Sequence, residues 1–298
     1  MKFLLVFLSM AGNTRRAALE VAEGLREGGN DVALVEVRDV RDDPESLNEK
    51  IAGVDAVGWM SPVYGFREPT IYRKFLRALP GAPRDNFPAF VGATASSHHS
   101  AYFHYVAKAL GRKGYLVFDV LALKAPSTYT CWNGPKKSYV FAEEEKQRAR
   151  EFGRALPTNL SSFLGGSRTS PKIKASLINR LSAALTAHDF TLRFIVGKLW
   201  VDSATCKRCG ICVKNCAWGA LVEGDHGLPA WTRRKCGGCC ACVNLCPSGS
   251  MRMKKLDRKV RYREPGYAGY KPLQATEIKG AKPSTARGPA ESEGAAGP

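Results

Sequence analysis

The chain has 298 residues, 44% hydrophobic and 24% charged, a balance that fits one large folded domain or two smaller ones and excludes a low-complexity chain. Its net charge is +18, from 45 Lys and Arg against 27 Asp and Glu, and no run of 18 apolar residues occurs, which excludes an expected transmembrane helix. Ten cysteines could suggest a secreted disulfide framework, but that reading suits short chains behind a signal peptide. The first residues, MKFLLVFLSMAGNT, imitate such a signal only briefly, because the apolar run is about six residues long and no small-x-small site follows it. A buried first strand explains them better. A cytoplasmic protein with reduced thiols is expected.

Apolar runs at 3–8, 32–37, 54–60, 89–93 and 116–123 read as buried parallel strands. Helix-like segments separate them at 14–27, 69–79 and 101–112. A further one at 143–164 opens with three glutamates at its positive dipole end. This alternation predicts an α/β doubly wound sheet of five parallel strands with helices on both faces, over residues 1–166.

The first strand runs into S-M-A-G-N-T, Ser9, Met10, Ala11, Gly12, Asn13 and Thr14, and then a helix. Such a junction suits phosphate: a glycine lets the backbone approach, the hydroxyls of Ser9 and Thr14 can donate, and the helix N-terminus favours an anion. The turn has neither the lysine of a P-loop nor the pattern G-x-G-x-x-G, which disfavours ATP and NAD by those routes. Strand three ends in S-P-V-Y-G-F, Ser61, Pro62, Val63, Tyr64, Gly65 and Phe66. Strand four ends in Thr94, Ala95, Ser96, Ser97, His98 and His99, and strand five in A-P-S-T-Y-T-C-W over 125–132, an expected further wall.

A phosphate turn after strand one of a five-stranded doubly wound sheet resembles flavodoxin, whose flavin sits at the topological switch. The match departs from the flavodoxin turn at Ala11, where a hydroxyl is lost. The resemblance implies FMN with its phosphate on Ser9–Thr14. The loops at 61–66 and 94–97 would then line the ribityl chain and ring, with Tyr64 or Phe66 as a stacking face. His98 and His99 read as solvated loop residues.

After 165–167 comes a basic amphipathic connector, taken as 167–200 and as helical for most of 171–200. Residues 206–216 and 236–246 then each read C-x-x-C-x-x-C-x-x-x-C, repeating after 30 residues. Thiolates are soft ligands, and a cubane cluster needs four. Three cysteines on one loop wrap one cluster, while the fourth ligates the other. Two crossed sets follow: Cys206, Cys209, Cys212 and Cys246, and Cys236, Cys239, Cys242 and Cys216. Zinc ribbons, the competing reading, use separated C-x-x-C pairs with longer spacers. Cys131 and Cys240 remain and read as small buried residues.

The repeat continues past the ligands, C-V-K-N-C-A-W-G-A-L answering C-V-N-L-C-P-S-G-S-M. This resembles the bacterial-type ferredoxin with two [4Fe–4S] clusters over 201–256, keeping its proline at Pro247 and departing from it at Ala217. A flavodoxin-like domain followed by such a module resembles a class of flavodoxin–ferredoxin fusion proteins. That resemblance implies electron transfer between FMN, the clusters and a partner protein. A reductase of a small substrate is the alternative, with Tyr129, His98 and His99 as candidate polar groups. A nucleic-acid-binding redox sensor is the third reading.

Charge is uneven. Residues 1–165 hold 22 bases and 18 acids (+4), residues 166–298 hold 23 and 9 (+14), and 252–263 alone hold seven bases and one acid. The surplus predicts an acidic redox partner. The final segment, 257–298, reads as basic and then disordered from about 272, where Gly, Pro, Ala and Ser dominate.

Overall fold

The five apolar runs become five strands. The structure, a computed structural model, describes residues 1–99, 101–129, 141–167, 169–254 and Gly269. Cys131, the end of the 125–132 loop, the basic run beyond Lys254 and the tail read as disordered lie outside the described residues.

The strands are β1 (Lys2–Phe7), β2 (Asp31–Glu36), β3 (Ala56–Pro62), β4 (Phe87–Ala95) and β5 (Tyr115–Lys124). They pair in parallel in the order β2-β1-β3-β4-β5, which is the flavodoxin-like order. Helices α1 (Asn13–Glu27), α2 (Val37–Val40), α3 (Asn48–Ala52), α4 (Thr70–Ala78), α5 (Tyr102–Gly111) and α6 (Glu143–Leu164) flank the sheet. A 3₁₀ turn over Pro44–Leu47 precedes α3.

Strand alternation divides the core in two. Phe3, Leu5 and Phe7 face α1 and α6 through Val21, Leu25, Leu156 and Leu160. Leu4 and Val6 face the other way, toward Phe75 of α4 and Val106 of α5. The α1–α6 contact is close enough that a Cβ on Gly153 would meet the Val21 carbonyl at 2.2 Å, and one on Gly24 the Arg150 carbonyl at 2.0 Å.

The connector forms α7 (Leu177–Thr186) and α8 (Asp189–Val196) rather than one long helix. Ala187 and His188 break it. The Ala187 carbonyl accepts from Arg73 Nη2 at 3.1 Å instead of continuing the helical ladder, and His188 is extended. Beyond it lie β6 (Leu199–Val201), α9 (Ile211–Lys214), β7 (Leu221–Glu223), β8 (Pro229–Trp231), α10 (Ala241–Leu245) and β9 (Met251–Met253). β6 pairs antiparallel with β9, and β7 with β8. Each cysteine segment carries a short helix, α9 before Cys216 and α10 before Cys246, followed by a short strand, β7 or β9.

The cysteine segment packs on the α4/α5 side of the sheet, in the same apolar cluster. Thr70 ties the parts together: its hydroxyl donates to Asp189 Oδ1 of α8 at 2.5 Å and accepts from Trp218 Nε1 at 3.3 Å. Arg41 donates to the Ala217 carbonyl, and the buried Asn244 donates to Thr128 O at 3.0 Å. Among the described residues no helix is long and apolar enough to cross a membrane.

Candidate functional site

β1 lies between β2 and β3, so the chain leaves the sheet in opposite directions at β1 and β3, and a crevice opens at their C-terminal ends. A cavity of about 340 Å³ lies there. Its walls gather three loops that are far apart in sequence. They comprise Ser9, Met10, Ala11, Asn13 and Thr14; Pro62, Val63, Tyr64, Gly65 and Phe66; and Thr94, Ala95, Ser96, Ser97 and His98.

The floor is the turn before α1. Gly12 is its N-cap at φ 100°, a conformation open to glycine at no steric cost. Among the described residues no side chain caps α1, and its first turn carries no acid, which leaves its amides to an anion. Ser9 is fully buried, and its Oγ has no hydrogen-bond partner among the described residues. An orphaned buried hydroxyl costs free energy unless something it bonds is present. Asn13 Nδ2 donates to Pro126 O at 3.2 Å while its Oδ1 is likewise unpartnered. Thr14 Oγ1 lies 2.8 Å from Thr94 Oγ1, pinning the turn to the end of β4.

Two expected residues are not walls of this cavity. Gly12 contributes backbone at the helix start, and Ser61 is turned inward, donating to the Tyr102 hydroxyl at 3.0 Å. His99 also turns away: its Nε2 bonds Leu123 O at 3.1 Å, its ring stacks on Phe103, and burial lowers its pKa.

The two candidate stacking rings differ. Tyr64 is buried, edge-on to Tyr129 at 5.9 Å, with its hydroxyl 3.2 Å from Thr128 Oγ1. Phe66 is 40% exposed and held at φ 68° beside Gly65 at φ 59°. Tyr64 N donates to Arg67 O at 2.9 Å, closing a tight turn with both central residues left-handed. For Phe66 that backbone is strained, a condition met often at binding sites.

Of the remaining walls, only those from the connector were not legible as site residues. Ala125, Pro126, Ser127, Thr128 and Tyr129 belong to the loop expected as a further wall, but Thr186, Leu192 and Ile195 come from the connector. Their helical periodicity was visible; which face they turn to the cavity depends on the docking of α7 and α8.

Beneath the turn, Arg38 Nη2 donates to the Ser9 carbonyl at 2.7 Å and its Nε to Glu36 Oε1 at 2.8 Å. Both side chains are buried. Burial raises Glu36 to about 7, with Arg38 pulling the opposite way. No local sequence signal marks this pair, since Glu and Arg two apart at a strand end are ordinarily solvated.

The cysteines line two cavities. Cys206, Cys209, Cys212 and Cys246 line one cavity of about 270 Å³, with Lys207, Arg208 and Lys214 among its other walls. Cys216, Cys236, Cys239 and Cys242 line a second cavity, narrower at about 20 Å³, with Cys240 beside them. Backbone amides point at several sulfurs: Ala220 N to Cys216 at 3.1 Å, Gly238 N to Cys236 at 3.3 Å and Met251 N to Cys246 at 3.5 Å. At Cys246 burial is outweighed by hydrogen bonds from Met251 N and the Ser248 hydroxyl, and its pKa is lowered. Burial pushes the Cys242 thiol far up and the Cys212 thiol to about 11, so a positive centre must offset the loss of hydration for these to serve as thiolates. Four cysteine sulfurs around a cavity are the soft donor set that an iron–sulfur cluster takes, although the second cavity holds only about 20 Å³. Among the described residues no three His, Cys, Asp or Glu side chains converge on a single ion. Cys240 is buried, its thiol against Gly238 O at 3.5 Å.

The front cavity and the second cysteine set have no wall residue in common, but side chains of the first lie near the second. Tyr64 and Tyr129 line the first, and their phenols are pushed up by burial and then by thiols of the second set or its neighbour Cys240. Leu192, another wall residue, packs where a Cβ on Gly238 would meet it at 2.9 Å.

No protein-family model matches the chain, and no curated protein matches it. Among solved structures it is similar to a flavodoxin from the domain Archaea (16% identity, TM-score 0.41, over 54% of this chain and 99% of that one). It is also similar to a flavone reductase (13%, 0.43, over 59% and 66%). A third is oxidised Flavodoxin 2 from Bacillus cereus (18%, 0.39, over 55% and 99%). The strand order, rather than these scores, defines the fold of the front half.

Proposed function

We propose that this chain is an electron-transfer flavoprotein that holds FMN in the front cavity and two [4Fe–4S] clusters in the cysteine segment, and exchanges electrons with an acidic partner protein. One observation carries the reading: an uncapped helix start and an orphaned buried Ser9 hydroxyl line a cavity whose wall residue Leu192 packs against Gly238, beside the four-cysteine set. When bound, FMN supplies exchange of electrons singly or in pairs, and each cluster supplies one-electron storage.

The chain's own residues do the rest. The α1 amides, Ser9 and Thr14 bind a terminal phosphate, and Arg38 holds the Ser9 carbonyl from below. Phe66 offers a flat face at the cavity mouth, while Tyr64, Tyr129 and Leu192 exclude water between the cavity and the second cysteine set. Cys206, Cys209, Cys212 and Cys246 would hold the outer cluster. There the exposed Cys209 is rimmed by Lys207, Arg208 and Lys214, and an acidic partner fits that rim.

A reductase of a small substrate needs space beside the flavin. The cavity's 340 Å³ stands at the low end of ligand pockets, about 300–1,000 Å³, which favours a single flat ligand.

Reconstitution under anaerobic conditions tests the flavin. FMN should bind in preference to FAD or riboflavin, because the turn closes on a terminal phosphate. Ser9→Ala should weaken FMN by about 1–3 kcal/mol, the range for a hydrogen bond to a charged group, while leaving the flavin-free protein as stable or more so. Equal affinity for riboflavin and FMN, or a front half that takes up no flavin in excess FMN, contradicts the reading.

A further inference from the structure

Helices α7 and α8 bury the wrong side for a connector that merely spans two parts of a fold. α7 turns Ala183 inward and leaves Leu177, Ile178, Leu181 and Leu185 outside; α8 buries Leu192 and Val196 and leaves Phe190 outside. At 100° per residue the four α7 side chains share an arc of about 100°, roughly opposite Ala183, so this is one apolar stripe and not scattered exposure. These five side chains are between 56% (Leu181) and 75% (Ile178) exposed. Large contiguous apolar surface on a folded chain marks an interaction site.

The charge around it identifies the partner. Residues 166–200 hold Arg168, Lys172, Lys174, Arg180, Arg193 and Lys198 against Asp189 alone, six bases to one acid. Asp189 is engaged by Thr70, and Lys172, Lys174, Arg180 and Lys198 are exposed. An apolar stripe of Leu, Ile and Phe flanked by exposed cations is the pattern of a helix lying in a lipid interface. No helix among the described residues is long and apolar enough to span a bilayer, so the pair lies on the surface and does not cross it.

We propose that α7 and α8 form a monotopic attachment site for an anionic lipid surface, the five apolar side chains entering the headgroup boundary and the flanking lysines and arginine meeting lipid phosphates. The chain's own tail is a poor cover for this stripe, since 264–298 offers only Tyr267, Tyr270, Leu273 and Ile278 as large apolar residues. A transient electron-transfer interface has no need of so much exposed apolar surface. Because Thr186, Leu192 and Ile195 of the same two helices line the front cavity, attachment would hold the cavity at the membrane face.

The test is sedimentation of the full-length protein with vesicles of phosphatidylcholine alone, and of phosphatidylcholine with phosphatidylglycerol. Wild type should sediment with the anionic vesicles and less with the neutral ones. The variant Leu181→Glu/Leu185→Glu/Phe190→Glu should bind the anionic vesicles at least about tenfold more weakly, since each buried apolar side chain contributes substantially. All three positions are solvent-facing, so the variant's circular dichroism and thermal midpoint should match wild type. Flavin and iron content should also be unchanged. The proposal is overturned if wild type stays in the supernatant with anionic vesicles at low salt. It is equally overturned if the triple variant binds as well as wild type, which would assign vesicle binding to the basic run after β9. A wild-type dimer that the triple variant dissolves, without vesicle binding, would assign the stripe to a second copy of the chain.

Discussion

Glu36 ends β2 under the phosphate turn, sharing the Arg38 guanidinium with the Ser9 carbonyl. Its pKa is raised from 4.5 to about 7, chiefly by burial. A carboxyl raised on folding contributes stability that is full below 4.5 and lost as pH rises through about 7, because the unfolded chain ionises first. The unfolding midpoint in urea should therefore fall across that window, by up to about 3 kcal/mol in stability at 1.36 kcal/mol per pH unit. Glu36→Gln should flatten the slope; an unchanged slope assigns the pH dependence elsewhere. Nothing in the local sequence announces this pair, whereas the cavity walls at 9–14, 61–66 and 94–97 were legible because each follows an apolar strand run. Ser61 and His99 sit in the same loops but point away, and side-chain direction at a strand end follows from packing on Tyr102 and Phe103 that sequence spacing does not encode.

Between elements, α1 and α6 approach closely. Alanine in place of glycine usually stabilises a helix interior by about 0.5–1 kcal/mol. At Gly153 the new Cβ would stand 2.2 Å from the Val21 carbonyl, a backbone atom that cannot rotate aside. Overpacking then costs about 1–3 kcal/mol, so Gly153→Ala should lower the thermal midpoint in spite of the propensity gain. A higher midpoint would show the helices free to separate. All five strands and the four long helices were legible from period and punctuation, with ends shifted by a few residues. The short α2 and α3 were not, since four or five residues are less than one helical period of pattern. The break between α7 and α8 was missed for another reason: Arg73, distant in sequence, takes the Ala187 carbonyl.

Across the whole molecule, the electrostatic surplus and the cofactors belong to one account. If the basic back half guides an acidic partner, then reversing Lys254, Lys255, Arg258 and Lys259 to glutamate should slow partner reduction severalfold at low salt. The difference should shrink toward 0.15 M, where the Debye length is about 8 Å. A rate indifferent to both salt and reversal would leave those residues as a solubilising face. The cysteine repeat was the clearest signal in the chain, and its cysteines line two separate cavities, Cys246 with the first loop and Cys216 with the second. The packing of Leu192 against Gly238 was not legible, because it depends on how the connector docks on the loop after β3 and on α4, through Gly65, Thr70 and Arg73. The central claim is that one chain carries FMN beside two four-iron clusters, and the stoichiometry of anaerobically purified protein tests it most directly. Iron and acid-labile sulfide should each approach about eight per chain, with about one FMN. Stoichiometric zinc without sulfide would contradict the account.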